Sequence, residues 1–276
     1  VPTSLAIQQG IFAANRATGT IALSVKALDG RTRRSHVHED GSLRVRFPNA
    51  GPEALEAVFV NTGGGMTGGD RFTIDLALEA GTSLIAGTAA AEKVYRSNGP
   101  DAEMAVVLNI AEGARLFWLP QETILFDRAR LSRSIDVDLA PGASLLMAEA
   151  VVFGRAAMGE FMTEGHVSDR WRIRRDGKLI YADTARLDGA ISAKLSQAAV
   201  TNGGIAFATV LYAPGGEDQL AAVRALDDTF KSEVGISAWN GIAVARLCAV
   251  DGATLRRDLI AVLAALGAQV PRLWLQ

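Results

Sequence analysis

LALEAGTSLIA at residues 76–86, LNIAEGARLFW at 108–118 and VDLAPGASLLM at 137–147 carry one phrase: an apolar alternating run, a glycine-centred turn, a small residue, and a second apolar run. Alternation with period two marks a half-buried strand, and glycine at the turn supplies a positive φ that other residues resist. Each copy reads as two strands joined at a hairpin or a corner. The copies recur about every 30 residues, which predicts an internal repeat of β layers.

The same grammar extends on both sides of these copies, from about residue 20 to residue 212. TGTIALSVKALDG, GSLRVRFP, LEAVFVNTGG, RFTIDLALEAG, AEMAVVLNIAEG, SRSIDVDLAPG, WRIRRDGKLIYAD and GIAFATVLYAPGG are further strand segments bounded by Gly, Pro, Asn and Asp. The last 60 or so residues change period. Leu220, Val223, Ala225, Leu226 and Phe230 approximate one helical face, and Leu255, Leu259, Val262, Leu263 and Leu266 another, with Asp251 as N-cap and Gly267 as stop. Between them EVGISAWN and GIAVARLCAV predict two strands around an Asn240-Gly241 turn. The expected fold is therefore mainly β, a large stacked or layered sheet body with two C-terminal α-helices. One domain over 1–276 is expected, its C-terminal β-α-β-β-α portion covering about 204–276, with no flexible linker.

Composition sets the outer bounds. The chain has 276 residues, 49% of them apolar, enough for a sizeable core. Twenty-eight Lys and Arg against 30 Asp and Glu give a net charge of -2, which argues against a nucleic-acid binder driven by bulk charge. Cys248 is the only cysteine, so an intramolecular disulfide and a Cys-based zinc site are both excluded. The first residues lack a charged region followed by an apolar run and do not read as a secretory signal; the missing initiator Met suggests processing or trimming. Apolar windows such as 258–270 are too short to span a bilayer. A cytoplasmic protein is expected.

The most unusual local sequence is Asn61-Thr-Gly-Gly-Gly-Met-Thr-Gly-Gly-Asp70. A phosphate loop would need Lys and Ser/Thr after its last glycine, whereas an alternating strand follows here. The stretch reads instead as a turn or bulge with positive φ, or as a place of close backbone approach with Asp70 at its mouth. His36 and His38 would share one strand face, but without a third soft ligand a solvated face is the expectation. Glu122, Asp127, Glu149, Glu160, Asp183 and Asp188 lie in or beside apolar segments, and Glu149 interrupts the run LLMAEAVVF. An ionised carboxylate there is costly unless paired, hydrated or bound to a cation, unless the strand has a solvated face. Paired acids such as Glu122 and Glu149 leave open a carbohydrate-active or carbohydrate-binding alternative. No Gly-x-Ser-x-Gly motif or Ser/His/Asp set announces a nucleophile, and the four Trp are scattered. Arg170, Arg172, Arg174 and Arg175 on WRIRRDG read as a solvated strand face.

In order along the chain, NTGGGMTGGDRF, EKVYRS, ARLFWLPQETILFDRAR, EAVVFGRAAMGE, DGKLIYADTARLDG and PRLWLQ resemble the urease accessory protein D family, also called UreD or UreH. The motif residues that carry it are Gly68, Gly69, Tyr95, Arg96, Ser97, Pro120, Gln121, Glu122, Gly154, Arg155, Gly159 and Glu160. The resemblance implies a non-enzymatic β-rich chaperone with two helices. It would bind the urease apoprotein, dock accessory protein F and through it recruit accessory protein G, a GTPase, in a dimeric assembly. It would hold no permanent cofactor and pass Ni²⁺ transiently through an internal channel, with no nucleic-acid or membrane partner.

By position, the acid of the family's Gly-Gly-Asp motif falls on Asp70, a channel acid before its Gly-Arg motif on Glu149, and an acid after its Asp-Gly turn on Asp183. The sequence departs from the family's pattern in two places. Val60-Asn61-Thr62-Gly63-Gly64 stands where many members have His-Pro-Pro-Gly-Gly, and Glu92-Lys93-Val94-Tyr95 where they have Thr or Ser-Lys-Phe-Tyr. Glu92 is thus an added channel acid or simply a surface residue.

Overall fold

The three glycine turns are corners, not hairpins. In the computed structural model, which describes residues 16–48, 54–155 and 158–275, each turn carries the chain from one sheet to a second one facing it. The N-terminal segment considered above, with Ala156, Ala157 and Gln276 of the quoted motifs, lies outside the described residues.

In chain order the first strands are β1 (Thr18–Leu28), β2 (Arg31–Gly41), β3 (Leu43–Arg46), β4 (Leu55–Asn61), β5 (Arg71–Leu78), β6 (Ser83–Thr88) and β7 (Glu92–Val94). β8 (Ala102–Ile110), β9 (Arg115–Leu119), β10 (Thr123–Leu125), β11 (Arg130–Leu139) and β12 (Ser144–Phe153) follow. β13 (Glu164–Arg175), β14 (Lys178–Ala190), helix α1 (Ile191–Leu195), β15 (Ala206–Ala213) and helix α2 (Glu217–Arg224) come next. β16 (Glu233–Trp239), β17 (Ile242–Ala249) and helix α3 (Gly252–Ala265) complete the order. The first sheet runs β14-β13-β11-β8-β5-β1-β2, and the second β16-β17-β15-β12-β9-β6-β4-β3.

Successive coils lie parallel: β5, β8 and β11 pair side by side in the first sheet, and β6, β9 and β12 in the second. Gly81, Gly113 and Gly142 turn the corners at φ of +69°, +66° and +73°. The corners also stack. Gly81 N donates to Glu112 O at 3.1 Å, Arg115 N to Thr82 O at 2.8 Å and Ser144 N to Ala114 O at 2.9 Å, so each turn's backbone groups are satisfied by its neighbour. Antiparallel strands close both ends, β2 and β14 on the first sheet, β3 and β15 to β17 on the second.

Strand β12 of the second sheet is buried on both faces, which explains its unbroken apolar run. Leu145, Met147, Val151 and Phe153 pack toward the first sheet; Leu146, Ala148, Ala150 and Val152 pack with α3. Glu149 shares the parity of the first set. The solvated face considered for it does not exist, because helices cover what would have been the outside of the strand.

The C-terminal order matches the expectation. Asp251 accepts from Thr254 N at 2.7 Å as the N-cap of α3, and Gly267 at φ +79° follows its last turn. Asn240 and Gly241, at φ +50° and +70°, form the tight turn between β16 and β17. Leu220 and Val223 are buried, but α2 ends at Arg224 and Phe230 lies beyond it in extended backbone. The one-turn helix α1 and the three-residue strands β7 and β10 are too short to leave a periodic signal. Among the described residues, no helix is long and apolar enough to cross a membrane.

Gly113→Ala is expected to cost about 1 to 2 kcal/mol, the penalty of holding a Cβ in left-handed backbone, read as a lowered denaturation midpoint. Gly99→Ala, at an open surface turn without positive φ, is the control and should be close to neutral.

Candidate functional site

Strand β12 loses its parallel neighbour for part of its length. β9 pairs with Ser144–Met147 and β10 with Val151–Phe153, while Pro120, Gln121 and Glu122 leave the sheet between them. Glu149 lies opposite this interruption. Its side chain enters the space between the sheets, where Oε1 accepts from Trp118 Nε1 at 2.7 Å and Oε2 accepts from Arg133 Nη1. Arg133, on β11 of the facing sheet, holds Asp169 of β13 in a two-point fork, Nε to Oδ1 at 3.0 Å and Nη2 to Oδ2 at 2.6 Å. Its Nη1 also donates to Thr123 Oγ1 at 3.3 Å, and Trp171 Nε1 donates to Asp169 Oδ1 at 3.1 Å. All three charged side chains are at least 93% buried.

One guanidinium thus serves two carboxylates, so the fully ionised cluster carries a surplus negative charge. Burial raises the pKa of Glu149; Arg133 opposes this, and the neighbouring Asp169 adds to it. Burial alone would loosen Arg133's proton, but Asp169 and then Glu149 outweigh it and push its pKa up. Such a cluster is held by geometry rather than by net energy, since desolvating ions offsets much of their attraction.

Glu149 and Asp169 line a small cavity of about 20 Å³ that also touches Trp171, Thr209 and Asp183. Asp183, on β14, accepts at Oδ2 from Arg246 Nη2 at 2.7 Å and from Tyr181 Oη at 3.0 Å, and at Oδ1 from Thr184 N at 2.8 Å. Burial would raise its pKa, but the bonds from Arg246 and Tyr181 prevail and hold it below the ordinary carboxylate range. Across the second sheet Glu149 pairs with Thr209, and Thr209 with Arg246, so the three share a face. Beyond them the sheets splay into an open cleft of about 780 Å³ lined in part by Asp183, Arg246, Glu233 and Cys248.

Glu92 is not a surface residue. It sits at the start of β7, in register with Thr123 on β10 and through it with Val151 on β12, so its side chain points between the sheets. It borders a cavity of about 160 Å³ lined by Phe59, Asn61, Gly64, Gly65 and Thr88. Asn61 Nδ2 donates to its Oε1 at 3.0 Å. Burial pushes its pKa up to about 7, with Asn61 and Lys93 opposing and Asp70 adding to the rise.

The Gly-rich stretch is a loop of close approaches to the chain's own backbone. Gly64, Gly65 and Gly69 have φ of +76°, +150° and +91°, and a Cβ at Gly65 would lie 2.7 Å from Lys93 O. Gly68 packs under Ser97, whose Oγ donates to Pro100 O at 2.5 Å. Asp70 is buried, not open at a mouth: Oδ1 accepts from Ala17 N and Oδ2 from Thr67 N, both at 2.8 Å, so both oxygens fasten the loop to the entry of β1.

The three acids carried over from the resemblance and the added acid Glu92 therefore fall into two groups, Asp70 with Glu92 at the glycine loop and Glu149 with Asp183 farther in. Thr123 and Arg133 lie between the groups. Sequence reading missed Arg133 and Asp169. Parity could have found them, since Arg133 alternates with Leu131 and Ile135, and Asp169 with Val167 and Trp171, all buried.

The remaining motif residues frame the site. Tyr95 Oη donates to Gly64 O at 3.0 Å, its ring meets Phe126 edge-on, Arg96 O accepts from Thr67 Oγ1 at 3.1 Å, and Ser97 N donates to Arg128 O at 3.0 Å. Pro120 is buried, and Gln121 N donates to Thr88 Oγ1 at 2.9 Å. Both Glu122 oxygens accept from Arg256 Nη1 of α3, at 3.1 and 3.0 Å. Glu122 is thus tied to the helix side of the sheet while Glu149 faces the other sheet, and the pair does not flank a common site. Gly154 turns at φ +87°, Gly159 at +67°, and Arg155, stacked over Phe126, pairs with Glu160 across that turn. His36 and His38 lie exposed on the edge strand β2, and no cluster of three His, Cys, Asp or Glu poised for a metal occurs among the described residues. Arg170 and Arg174 face Asp136 on the outer side of the first sheet.

The fold and this interior define a layered parallel-β scaffold with an ion cluster joining its sheets. The family model described as UreD urease accessory protein matches residues 17–275. A urease accessory protein UreD of Rhodopseudomonas palustris is 56% identical over 268 residues, covering 97% of this chain and 94% of the relative. One of Bradyrhizobium diazoefficiens is 54% identical over 273 residues, 99% of each. The chain belongs to the UreD urease accessory protein family. Its role is in urease maturation, as an accessory protein.

Glu92 makes stability depend on pH. Its folded pKa of about 7 exceeds the ordinary glutamate value of 4.5, so as pH rises from 4.5 the unfolded chain gives up its proton first and stability falls, levelling above 7. Glu92→Gln should remove a loss of about 3 kcal/mol between about pH 5 and about pH 8, measured as the difference in unfolding free energy at the two pH values. Glu149→Ala should cost about 3 to 5 kcal/mol, because Arg133 Nη1 and Trp118 Nε1 both lose their buried acceptor.

Proposed function

We propose that this protein is the scaffold of urease maturation that binds the urease apoprotein and, with accessory protein F and the GTPase accessory protein G, conveys nickel to the urease active site. The observation that carries the reading is the polar row across the sandwich interior, from Glu92 through Thr123, Arg133, Glu149 and Asp169 to Asp183. Its functional groups are oxygens and one cationic gatepost rather than imidazoles or thiolates. Carboxylate, hydroxyl and water oxygens hold Ni²⁺ loosely enough to release it, whereas a nitrogen and sulfur cage would retain it. Nickel is cargo in this reading, with no permanent cofactor, and accessory protein F supplies the contact through which the assembly becomes dimeric.

The test is co-expression of urease subunits and the other accessory proteins with and without this chain, reading nickel content and urease activity. Omission should leave apo-urease; equal activation without it would remove the proposed role. Glu149→Gln and Asp183→Asn should each lower nickel loading several-fold while co-purification with urease persists. Unchanged loading in both would overturn the conduit.

A further inference from the structure

The interior row contains one element that runs against cation passage. Arg133 occupies the position between Glu149 and Asp169 that a passing cation would take, with its charge already satisfied by both acids. On one side it touches Thr123, the register neighbour of Glu92; on the other, its two carboxylates line the small cavity leading to Asp183. The guanidinium thus lies on the row that links Glu92, at the glycine-loop cavity, with the acids of the inner one. It is a permanent cation, since guanidinium does not release its proton in proteins, and it is fixed by a two-point fork to Asp169 and single bonds to Glu149 and Thr123.

We propose that Arg133 is an internal gate: a tethered cation that occupies the Glu149–Asp169 position until a divalent metal ion displaces it. The inference rests on the conduit reading above and assigns its closed state. The guanidinium offsets one of the two carboxylate charges and so weakens the cluster's pull on stray monovalent ions, and a divalent ion gains more from two carboxylates than a monovalent one does. Displacement has somewhere to go. Thr123 already shares Nη1, and Glu92 is its register neighbour on the next strand, beside the cavity of about 160 Å³. Glu92 is the alternative carboxylate toward which the fork can swing, so Arg133 is a positioning residue for the inner acids and not a metal ligand.

The experiment is Ni²⁺ binding to the purified full chain by isothermal titration, with folding checked by thermal denaturation. Arg133→Met should bind one Ni²⁺ more tightly than wild type by roughly tenfold or more, the effect of removing a unit charge beside a divalent ion. Adding Asp169→Asn to Arg133→Met should abolish the gain. Equal affinity of folded Arg133→Met and wild type overturns the gate, as does a gain that survives Asp169→Asn. A merely structural arginine would lower stability without raising nickel affinity. If Arg133→Met does not fold, Arg133→Lys carries the test. Its single ammonium can satisfy one carboxylate only, so an intermediate gain is expected and no gain overturns the proposal. Failure of the conduit itself is distinct, because it shows as normal urease loading with both Glu149→Gln and Asp183→Asn, whatever Arg133 does.

Discussion

The stacking of Gly81, Gly113 and Gly142 is the constraint on which the interior depends. Each corner fixes where one coil leaves the first sheet and enters the second, and the hydrogen bonds between adjacent turns lock the coils in register. Because side chains alternate with period two, a slip of one residue at a corner would reverse every inward and outward position downstream. The same lock that buries Ile135 and Val137 also buries Arg133, and the one that buries Met147 and Val151 also buries Glu149. The ion cluster is therefore imposed by register, and its members must satisfy one another because no water-exposed alternative exists on that face.

An apolar replacement of such a cluster is often neutral or stabilising in proteins generally, whereas removal of one member is costly. A buried guanidinium between two carboxylates is consequently a poor device for stability alone. Here it coincides with a break in sheet pairing, where Pro120 to Glu122 detach from β12, and with cavities on both sides. The detached segment is not loose. Arg256 of α3 binds Glu122 and Gln121 as well as the carbonyls of Leu273 and Trp274, so the C-terminal turn clamps the interruption from outside the sandwich. The motif acid Glu122 thereby serves the frame, and Glu149 the interior.

The motif residues of the glycine loop divide in the same way. Asp70 spends both oxygens on backbone donors, and Gly65, Gly68 and Gly154 permit contacts that a Cβ would block. Sequence reading found these positions because glycine and aspartate in that order are rare within strands, but it placed Asp70 at an opening when its task is to close the loop onto β1. Glu92 went the other way: a charged residue at an edge position looked equally suited to solvent, and only pairing through β10 to β12 turned it inward.

The sequence by itself determined the β class, the repeat of about 30 residues, the C-terminal helices with their caps and the membership in the UreD family, because period, turn glycines and motif order are local properties of the chain. Arg133 and Asp169 went unread, although their parity with the buried Leu131, Ile135, Val167 and Trp171 was present in the sequence. Tertiary structure alone decided that the turns are corners between two sheets and that helices cover the far face of β12. It also decided that one arginine from the first sheet meets an acid from each sheet. Those outcomes depend on which strands become neighbours, and parallel coils bring together residues separated by a full turn of chain, a distance over which local pattern carries no information.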